Sequence, residues 1–526
     1  MNLIYDAWIP VRHKDGKTEK IAPWQVTENL INDPILELAS VRPDFNGALM
    51  QFLIGLLQTT CAPNSKKEWR EWRDSPPSPE LLKQKFEEVA FAFFLDDDPR
   101  QKWDQQTPPP RFMQDLELEK ETRYTEQTIE KLFLDAPGEQ ALKFNTDHFI
   151  KGGKINKLCL PCAAQALFTL QTNSPAGGKG NRVGLRGGGP VTTIILEEDF
   201  WQTIWNNVLD KDGFEDLADK SRVEVKDKFP WCGATRVSDK DQSTTALDVN
   251  PVQIYWSMPR RIRLLFEDRA GECDLCNNSD VIVNKYLTKP YGVMYKSILH
   301  PLTPYYRDVK EELLPMHQHE YIGYKYWLGY IQTILDGSRQ AAKIVNQTFD
   351  RKLYSFRLWT FGYDMNNMKA CCWYEGIMPV VIIEDKIKRE IYEAEIATLI
   401  KAADSLASSL RYAIKDALKV DVNKLSSITQ RFWQETEADF YRIIARMRER
   451  VVAGNDGTSI KQEWHKCIVR KAEQIFDEVS QSEMIDEVNV KRVAQARNKL
   501  MGIIRGKKVK QDILGLPIIQ EAGKDV

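Results

Sequence analysis

The stretch LIKAADSLASSLRYAIKDA, residues 399–417, decides the fold of the C-terminal part of the chain. Its apolar positions recur every three or four residues, which places them on one face of an α-helix. Three further amphipathic segments follow at about 423–453, 458–482 and 486–505, with short breaks between them. Four helices of similar length with short connections predict an up-down four-helix bundle over residues 385–526.

The part of the chain before this bundle has a different pattern. Short apolar runs on both sides of the polar turn at residues 14–17 predict a β-hairpin. The spacing of Leu49, Phe52, Leu53, Leu56 and Leu57 predicts a helix, and strand-like and glycine-rich segments dominate from about 150 to 380. We therefore expect an α+β protein, with a large mixed domain over residues 1–384 followed by the helical bundle.

Composition excludes several classes of protein. No apolar run approaches the ~18 residues of a membrane span, and the N-terminal residues do not form a signal peptide. Nine cysteines, an odd number, suit a reducing compartment better than a disulfide framework. We expect a cytoplasmic protein without membrane contact. The net charge of −2 predicts that any contact with nucleic acid is confined to patches.

One such patch lies in the last predicted helix and the residues after it. Residues 491–510 contain eight cations and no acid, and such a run predicts contact with a DNA strand, although a purely solvated helix face is the alternative. The cations are Lys491, Arg492, Arg497, Lys499, Arg505, Lys507, Lys508 and Lys510.

A second patch is the glycine-rich string at residues 174–190, which has seven glycines within thirteen residues. Glycine lets backbone approach a ligand closely, and the interspersed Lys179, Arg182 and Arg186 are expected to neutralise phosphate. The string lacks the Gly-Lys-Ser/Thr ending of a Walker loop and the spacing of a dinucleotide-binding fingerprint. It is interpreted as a polyanion-binding loop, with a flexible surface loop as the alternative.

Two Cys-x-x-Cys pairs, Cys159 with Cys162 and Cys273 with Cys276, are candidate ligands of one structural Zn²⁺. The 110 intervening residues exceed the usual spacing of a zinc ribbon, so four ordinary thiols are the alternative. A catalytic zinc is not expected, because four thiolates leave no open position for water. A further segment, residues 361–370, places amides, methionines and a lysine on a predicted turn that could reach or wedge between bases, or simply connect two strands.

Taken together, these strings resemble the large-subunit family (CasA) of Cascade, the type I-E CRISPR surveillance complex. The resemblance rests on the opening residues 2–11, the stretch 111–114, both cysteine pairs, the strings 174–190 and 184–193, and the Gly-Tyr-Asp-Met-Asn-Asn segment at 362–367. It implies a non-catalytic subunit that joins the other Cascade proteins at the 5′ end of a guide RNA. It further implies recognition of a short protospacer-adjacent motif (PAM) on duplex DNA, help in opening that duplex, and recruitment of a separate helicase-nuclease.

The resemblance also assigns roles to individual residues. The motif-reading glycine loop corresponds to residues 177–180, and the lysine that faces the motif to Lys289 or nearby Lys285. A wedge that invades the duplex falls within residues 366–369, and a segment that contacts the 5′ handle of the guide falls near residues 144–149. In full, the expected DNA-binding residues are Gly177, Gly178, Lys179, Gly180, Lys289, Asn366, Asn367, Met368 and Lys369, and the expected handle residues are Phe144, Asn145 and Phe149.

Two other functions remain as alternatives. A zinc-dependent hydrolase would need clustered His, Asp or Glu ligands with an open coordination position, and no such set can be assembled from the sequence. A structural RNA-scaffold protein would bind guide RNA without reading DNA.

Overall fold

The computed structural model describes residues 1–103, 108–120, 123–144, 151–319, 321, 323–334, 336–366, 369–421, 425–482 and 490–517. The strands are β1 Ile9–His13, β2 Thr18–Ile21, β3 Ile35–Leu38, β4 Thr125–Thr128, β5 Leu158–Cys159, β6 Thr192–Leu196, β7 Arg261–Glu272, β8 Ser279–Lys289, β9 Tyr305–Arg307, β10 Leu313–Pro315, β11 Arg339–Gln340, β12 Ser355–Asn366 and β13 Lys369–Val381. The helices are α1 Pro43–Thr60, α2 Lys66–Asp74, α3 Pro79–Glu87, α4 Glu139–Lys143, α5 Leu160–Asn173, α6 Phe200–Trp205, α7 Lys211–Glu215, α8 Val225–Lys228, α9 Trp327–Tyr330, α10 Lys343–Asn346, α11 Lys386–Leu418, α12 Ser426–Val452, α13 Thr458–Ser482 and α14 Val490–Ile504, followed by a π-helical turn at Lys508–Ile513.

Contacts divide the chain into two compact units. The first contains Met1–His319, Leu335–Gln347 and Leu358–Glu375, and the second contains Glu320–Ile334, Thr348–Arg357 and Gly376–Val526. The predicted α+β class is confirmed, because strands and short helices alternate in the first unit and long helices make up most of the second.

The strands form small sheets rather than one large one. Their orders are β2-β1-β3, β10-β9-β11, β13-β12-β6 and β4-β8-β5, with β7 pairing along the other side of β8. Strands β7 and β8 form a long antiparallel ladder, and β5 joins it where Cys159 lies opposite Ile282. The N-terminal hairpin expected around residues 14–17 is β1 and β2.

Helix α1 lies at the centre of the first unit. The predicted apolar face is present, but nearly every side chain from Phe45 to Gln58 is buried, so α1 is covered on all sides. Phe52 is its focus, with ring centroids of neighbouring aromatic residues 5.0–6.1 Å away. The neighbours are Trp8, Phe93, Phe112, Phe168 and Trp256.

The predicted four-helix bundle is confirmed as α11 to α14. The periodic apolar residues of the stretch 399–417 are all buried, as the helical spacing requires. They are Leu399, Ala403, Leu406, Leu410, Ala413 and Ala417. An earlier segment adds to this core, since the ring of Tyr324 stacks on Phe440 at 4.2 Å and its hydroxyl lies 2.7 Å from the Oγ1 atom of Thr436. Burial of an aromatic ring together with its hydrogen-bonded hydroxyl stabilises the bundle without leaving an unpaired polar group.

Candidate nucleic-acid interface and metal centre

The four predicted cysteine ligands come together at one end of α5 and β8. Cys159 immediately precedes α5, Cys162 lies in its first turn, and Cys273 and Cys276 lie in the turn that joins β7 to β8. Their four Sγ atoms lie within 4.8 Å of one another, and those of Cys159 and Cys276 are 3.5 Å apart. The prediction that the two pairs meet in space is therefore confirmed.

The cluster fits a tetrahedral divalent ion. A Zn–S distance of about 2.3 Å places tetrahedral sulfur atoms roughly 3.8 Å apart, which lies within the spread of this cluster. Hydrogen bonding to Cys159 and Cys273, together with burial, raises the pKa of Cys162 well above its ordinary value. Four adjacent thiolates repel one another unless a cation compensates their charge, so these four residues could hold a metal ion.

Backbone contacts hold the cysteine turn in place. The carboxylate of Asp274 accepts hydrogen bonds from the N–H groups of Asn156 and Lys157 at 2.6 and 3.0 Å. The N–H of Asp274 donates to the Lys157 carbonyl at 3.0 Å. The turn is thus attached to the residues that lead into β5, which orients the sulfur ligands from outside the cluster.

The glycine-rich string begins at the opposite end of α5. The carbonyl of Ser174 accepts a hydrogen bond from the N–H of Gly184 at 3.0 Å, so the residues between them form a closed loop. Gly178 and Gly180 have φ angles of +67° and +82°, which favour glycine, and a Cβ at Gly178 would meet open space. Lys179 between them is exposed and has no ion-pair partner within the described part of the chain.

This loop is joined to the end of β8. The N–H of Tyr291 donates to the carbonyl of Gly180 at 2.6 Å, and a Cβ on Gly180 would lie 2.8 Å from the Cβ of Pro290. Lys289, the last residue of β8, lies two residues before Tyr291 in the chain. Lys285 lies earlier in β8 and pairs instead with Glu126 at 2.6 Å. Of the two lysines named from the sequence, Lys289 is the one beside the glycine loop.

The arginines of the same string are engaged with protein groups. Arg186 is 2% exposed and donates to two threonine hydroxyls and, at 2.6 Å, to the amide oxygen of Gln51. Burial lowers its pKa to about 10. The expectation that Arg186 neutralises phosphate is wrong, because its guanidinium is enclosed. Arg182 donates to the Oγ atom of Ser238 at 2.7 Å and forms an ion pair with Asp241 at 3.4 Å.

The expected wedge segment connects β12 to β13. Asn366 is the last residue of β12 and Lys369 the first of β13, and both are exposed. Asn367 and Met368 lie outside the described residues. The two strands are neighbours in the sheet β13-β12-β6, so they form a hairpin.

The hairpin packs closely on α1. A Cβ on Gly47 would lie 2.8 Å from the ring of Phe361 and 3.0 Å from that of Trp373. These two rings stack with their centroids 5.3 Å apart. Because Gly47 has no side chain, the aromatic face of the hairpin can lie directly against the helix.

Residues 184–190, here called the strap, lie between the glycine loop and the hairpin. A Cβ on Gly188 would lie 3.2 Å from the Cα of Pro175, at the start of the glycine loop. A Cβ on Gly189, whose φ is +68°, would collide with the carbonyl of Tyr363 and the side chain of Met365. Sequence reasoning missed this role of the strap, although glycine in extended structure often marks the close approach of another backbone.

The chain also matches a known protein family. The family model described as CRISPR-associated protein Cse1 matches residues 2–475. The chain belongs to this Cse1 family. Membership confirms the resemblance to the large subunit of type I-E Cascade that the sequence motifs indicated.

Solved structures share the fold of this Cse1-family chain. CasA of Thermus thermophilus aligns with a TM-score of 0.68 at 15% identity, over 96% of this chain and 99% of that one. Cse1 of Thermobifida fusca aligns with a TM-score of 0.66 at 15% identity, over 97% and 98%. A chain from a structure described as a CRISPR RNA-guided surveillance complex aligns with a TM-score of 0.64 at 16% identity, over 96% and 99%.

In this Cse1-family chain, residues 144–149, expected to contact a guide handle, lie within a longer stretch whose two ends are held together. The carboxylate of Glu130 accepts hydrogen bonds from the N–H groups of Gly153 and Lys154 at 2.8 and 3.1 Å, which brings together the two ends of residues 131–152. Phe144 lies within this segment and is 65% exposed. Asn145 and Phe149 lie outside the described residues.

Four of the eight cations at residues 491–510 contact groups of the bundle itself. Arg492 donates to the carbonyl of Ala417 at 2.7 Å, near the C-terminus of α11, where a cation is favourable. Three more form ion pairs of 2.7–3.0 Å with acids on α11 and α13. These pairs are Arg497 with Asp477, Lys499 with Asp416 and Arg505 with Glu473. Among the described residues, Lys491, Lys507, Lys508 and Lys510 have no ion-pair partner.

Among the described helices, none is both long enough and apolar enough to cross a membrane.

Proposed function

We propose that this chain is the DNA-inspecting large subunit of an RNA-guided surveillance complex of the Cascade type. In this proposal the glycine loop and Lys289 read a short flanking motif on duplex DNA. The β12–β13 hairpin then enters the first base step beside that motif and helps to open the duplex.

The observation that carries the proposal is the convergence of the glycine loop, the end of β8 and the hairpin around the strap. Gly180 contacts Tyr291 just after Lys289, and the strap contacts both Pro175 and Met365. Segments far apart in the sequence are thereby gathered in one part of the first unit. A reader and a wedge must act on neighbouring base pairs, and this convergence supports such an arrangement.

The chemistry of the loop suits a groove of DNA. A Cβ at Gly178 would meet no atom within 4 Å, so this backbone could approach base edges in a narrow groove. Lys179 is exposed and suited to pair with phosphate. Reading from the minor groove would distinguish related motifs only coarsely, because that groove displays a degenerate pattern of donors and acceptors.

The four cysteines are proposed to hold one structural Zn²⁺. Zinc would supply the positive charge that stabilises four adjacent thiolates and would clamp the start of α5 to the β7–β8 turn. The metal-ligand cluster found among the described residues is made of cysteines alone. Four protein ligands leave no position for water, which supports a non-catalytic role over a zinc-dependent hydrolase.

The proposed partners are the other Cascade proteins, the 5′ handle of the guide RNA, and a helicase-nuclease recruited after the duplex opens. The match to a chain of a surveillance complex supports assembly with such subunits. A purely structural RNA scaffold would share this assembly, and it would differ by binding DNA with and without the motif equally.

The reader is tested with Gly178→Asp in the complete complex with guide RNA. An acidic side chain at this position should conflict with the DNA backbone and weaken binding to every motif-bearing duplex. Gly454→Asp is the matched control, because Gly454 also has a positive φ, +73°, with no atom within 4 Å of a Cβ. Full affinity of Gly178→Asp for motif-bearing duplex, or equal affinity of the unmodified complex for duplexes with and without a motif, would overturn the reader.

The wedge is tested with Asn367→Ala combined with Met368→Ala. Unstacking a base step costs a few kcal/mol, so this variant should open a fully paired target more slowly. It should act normally on a target that carries a pre-melted bubble beside the motif. Equal losses on both targets would exclude a wedge.

A further inference from the structure

A buried polar cluster lies at the start of α1. Arg42 precedes the helix, and its Nε and Nη2 atoms donate to the two carboxylate oxygens of Asp44 at 2.9 and 3.0 Å. Asp44 is 2% exposed and also accepts a hydrogen bond from the N–H of Phe45 at 3.1 Å. A buried carboxylate is stable only with such partners, so this pair has a defined geometry.

The same guanidinium also contacts Phe133 and Asp135, which lie in the chain between Glu130 and residues 144–149, the segment expected to contact the guide handle. The Nη2 atom of Arg42 donates to the carboxylate of Asp135 at 3.0 Å. The guanidinium also lies over the ring of Phe133, 4.9 Å from its centroid, and Phe133 stacks on Phe45 at 5.8 Å. Phe133 and Asp135 are therefore attached to the start of α1 by one arginine.

The hairpin is attached to this cluster by a single hydroxyl. Tyr363 donates to the Oδ2 atom of Asp44 at 2.5 Å, and its oxygen lies 3.4 Å from the Nη2 atom of Arg42. Tyr363 lies on β12, three residues before Asn366, and its ring meets Trp373 edge-on at 5.1 Å. The hydroxyl is thus a polar contact of the hairpin close to its tip.

We propose that Arg42, Asp44 and Tyr363 form a shared anchor. It holds the β12–β13 hairpin in a fixed position relative to Phe133 and Asp135, which precede the expected handle segment. The inference rests on the proposed function, because it assumes that the hairpin opens DNA and that residues 144–149 contact the guide. Arg42, Asp44 and Tyr363 are positioning residues, which contact neither the guide RNA nor the target DNA. Arg42 and Asp44 fix the position of Tyr363 on β12 relative to Phe133 and Asp135.

The geometry explains why one arginine performs this task. A guanidinium has several donors in a fixed plane and can bind two carboxylates and a ring face at once, which an ammonium cannot do. Apolar packing of Phe361 and Trp373 against Gly47 remains if the hydroxyl is removed. Loss of the anchor should therefore change the orientation of the hairpin without unfolding it.

Tyr363→Phe in the complete complex is the direct test. We expect opening of a paired target to slow by roughly tenfold, the size of one hydrogen bond to a charged group. Opening of a pre-melted target and affinity for the motif should change by less than about twofold, within the usual scatter for a non-contacting residue. Tyr441→Phe is the matched control, because Tyr441 also donates to a carboxylate, that of Glu437, at 3.2 Å within the bundle.

A double-mutant cycle tests whether the two segments share the anchor. Asp135→Asn and Tyr363→Phe should each slow opening of the paired target, and their combined effect should be smaller than the product of the two. Opening kinetics of Tyr363→Phe equal to those of Tyr441→Phe, equal losses on paired and pre-melted targets, or independent effects in the cycle would overturn the anchor.

The Asn367→Ala and Met368→Ala variant separates this failure from failure of the proposed function. If that variant slows the paired target and Tyr363→Phe does not, the wedge stands and the anchor is rejected. If neither slows it, the hairpin does not open DNA and both proposals fall. Thermal unfolding of the isolated chain should change equally in Tyr363→Phe and Tyr441→Phe, which excludes a loss of fold as the cause.

Discussion

The two ends of the packed pair α5 and β8 contrast sharply. At one end, Cys159 and Cys162 meet Cys273 and Cys276 in a buried cluster that could hold a metal ion. At the other end, α5 continues into the glycine loop and β8 ends at Lys289, with exposed backbone joined by the bond from Tyr291 to Gly180. Rigid attachment at one end and accessible backbone at the other is the arrangement expected of a loop that must meet a ligand in a fixed orientation.

Rigidity and accessibility are thus supplied by opposite ends of the same two elements, α5 and β8. Backbone that is bare enough to approach a ligand has few side-chain contacts to hold it, so its position must be determined by neighbouring structure. The substitutions below alter the cysteine cluster first and the glycine loop second. The last ones alter the basic residues on and after α14, which share only their positive charge with the glycine loop.

The largest effect is expected at the clamped end. Cys159→Ser with Cys276→Ser should remove about one zinc per chain and destabilise the first unit by on the order of 5 kcal/mol, because structural zinc binding to thiolates is worth on the order of 10 kcal/mol. Metal analysis and calorimetry measure the two changes. The control is Cys371→Ser with Cys372→Ser, which alters two exposed cysteines outside the cluster. Full stability of a metal-free protein would show that no metal is needed to hold the start of α5 against the β7–β8 turn.

The next effect is expected where the open end meets β8. Gly180→Ala places a Cβ in a left-handed conformation and against Pro290, so it should cost about 2 kcal/mol of unfolding free energy. Gly178→Ala has the same backbone strain without the collision and should cost about 1 kcal/mol. Denaturant unfolding of both variants compares them. Equal costs would mean that the contact with Pro290 does not fix the loop.

A smaller effect is expected for the exposed cation of the open end. Lys179→Gln should weaken binding of duplex DNA by the complex. It should also make the negative slope of log affinity against log salt less steep by about 0.9, the value for one phosphate contact. Lys285→Gln is the control, because Lys285 is already paired with Glu126. Titrations at several salt concentrations give the slopes, and identical slopes for both variants would show that Lys179 does not meet phosphate.

The smallest effect is expected from the cations already paired within the bundle. Changing Arg497, Lys499 and Arg505 to glutamine should leave the salt dependence of target binding unchanged and reduce stability by at most about 1 kcal/mol per pair. Changing Lys491, Lys507, Lys508 and Lys510 to glutamine should instead flatten that dependence, by roughly 0.7–0.9 in slope for every phosphate that is no longer neutralised. Equal slopes for the two sets would mean that this surface is only a solvated face.

The sequence predicted some features well for physical reasons that lie in local pattern. The bundle was predictable because Leu399 and its periodic partners must share one face of any helix they form. The connection between β12 and β13 was predictable from its polar composition. Arg186 was misjudged, because a cation beside glycines looks exposed until the groups around it, such as Gln51, are known.

The sequence by itself determined the helices, the turn chemistry, the ligand types and the family to which the chain belongs. Each of these depends on residues close in the chain or on motifs in a set order. Only the tertiary structure decided that Cys159 meets Cys276, that Gly189 packs on Met365, and that Tyr363 reaches Asp44. The physical reason is that such contacts depend on how distant elements pack around α1. Burial and pairing there decide which of many similar side chains remain available to a ligand.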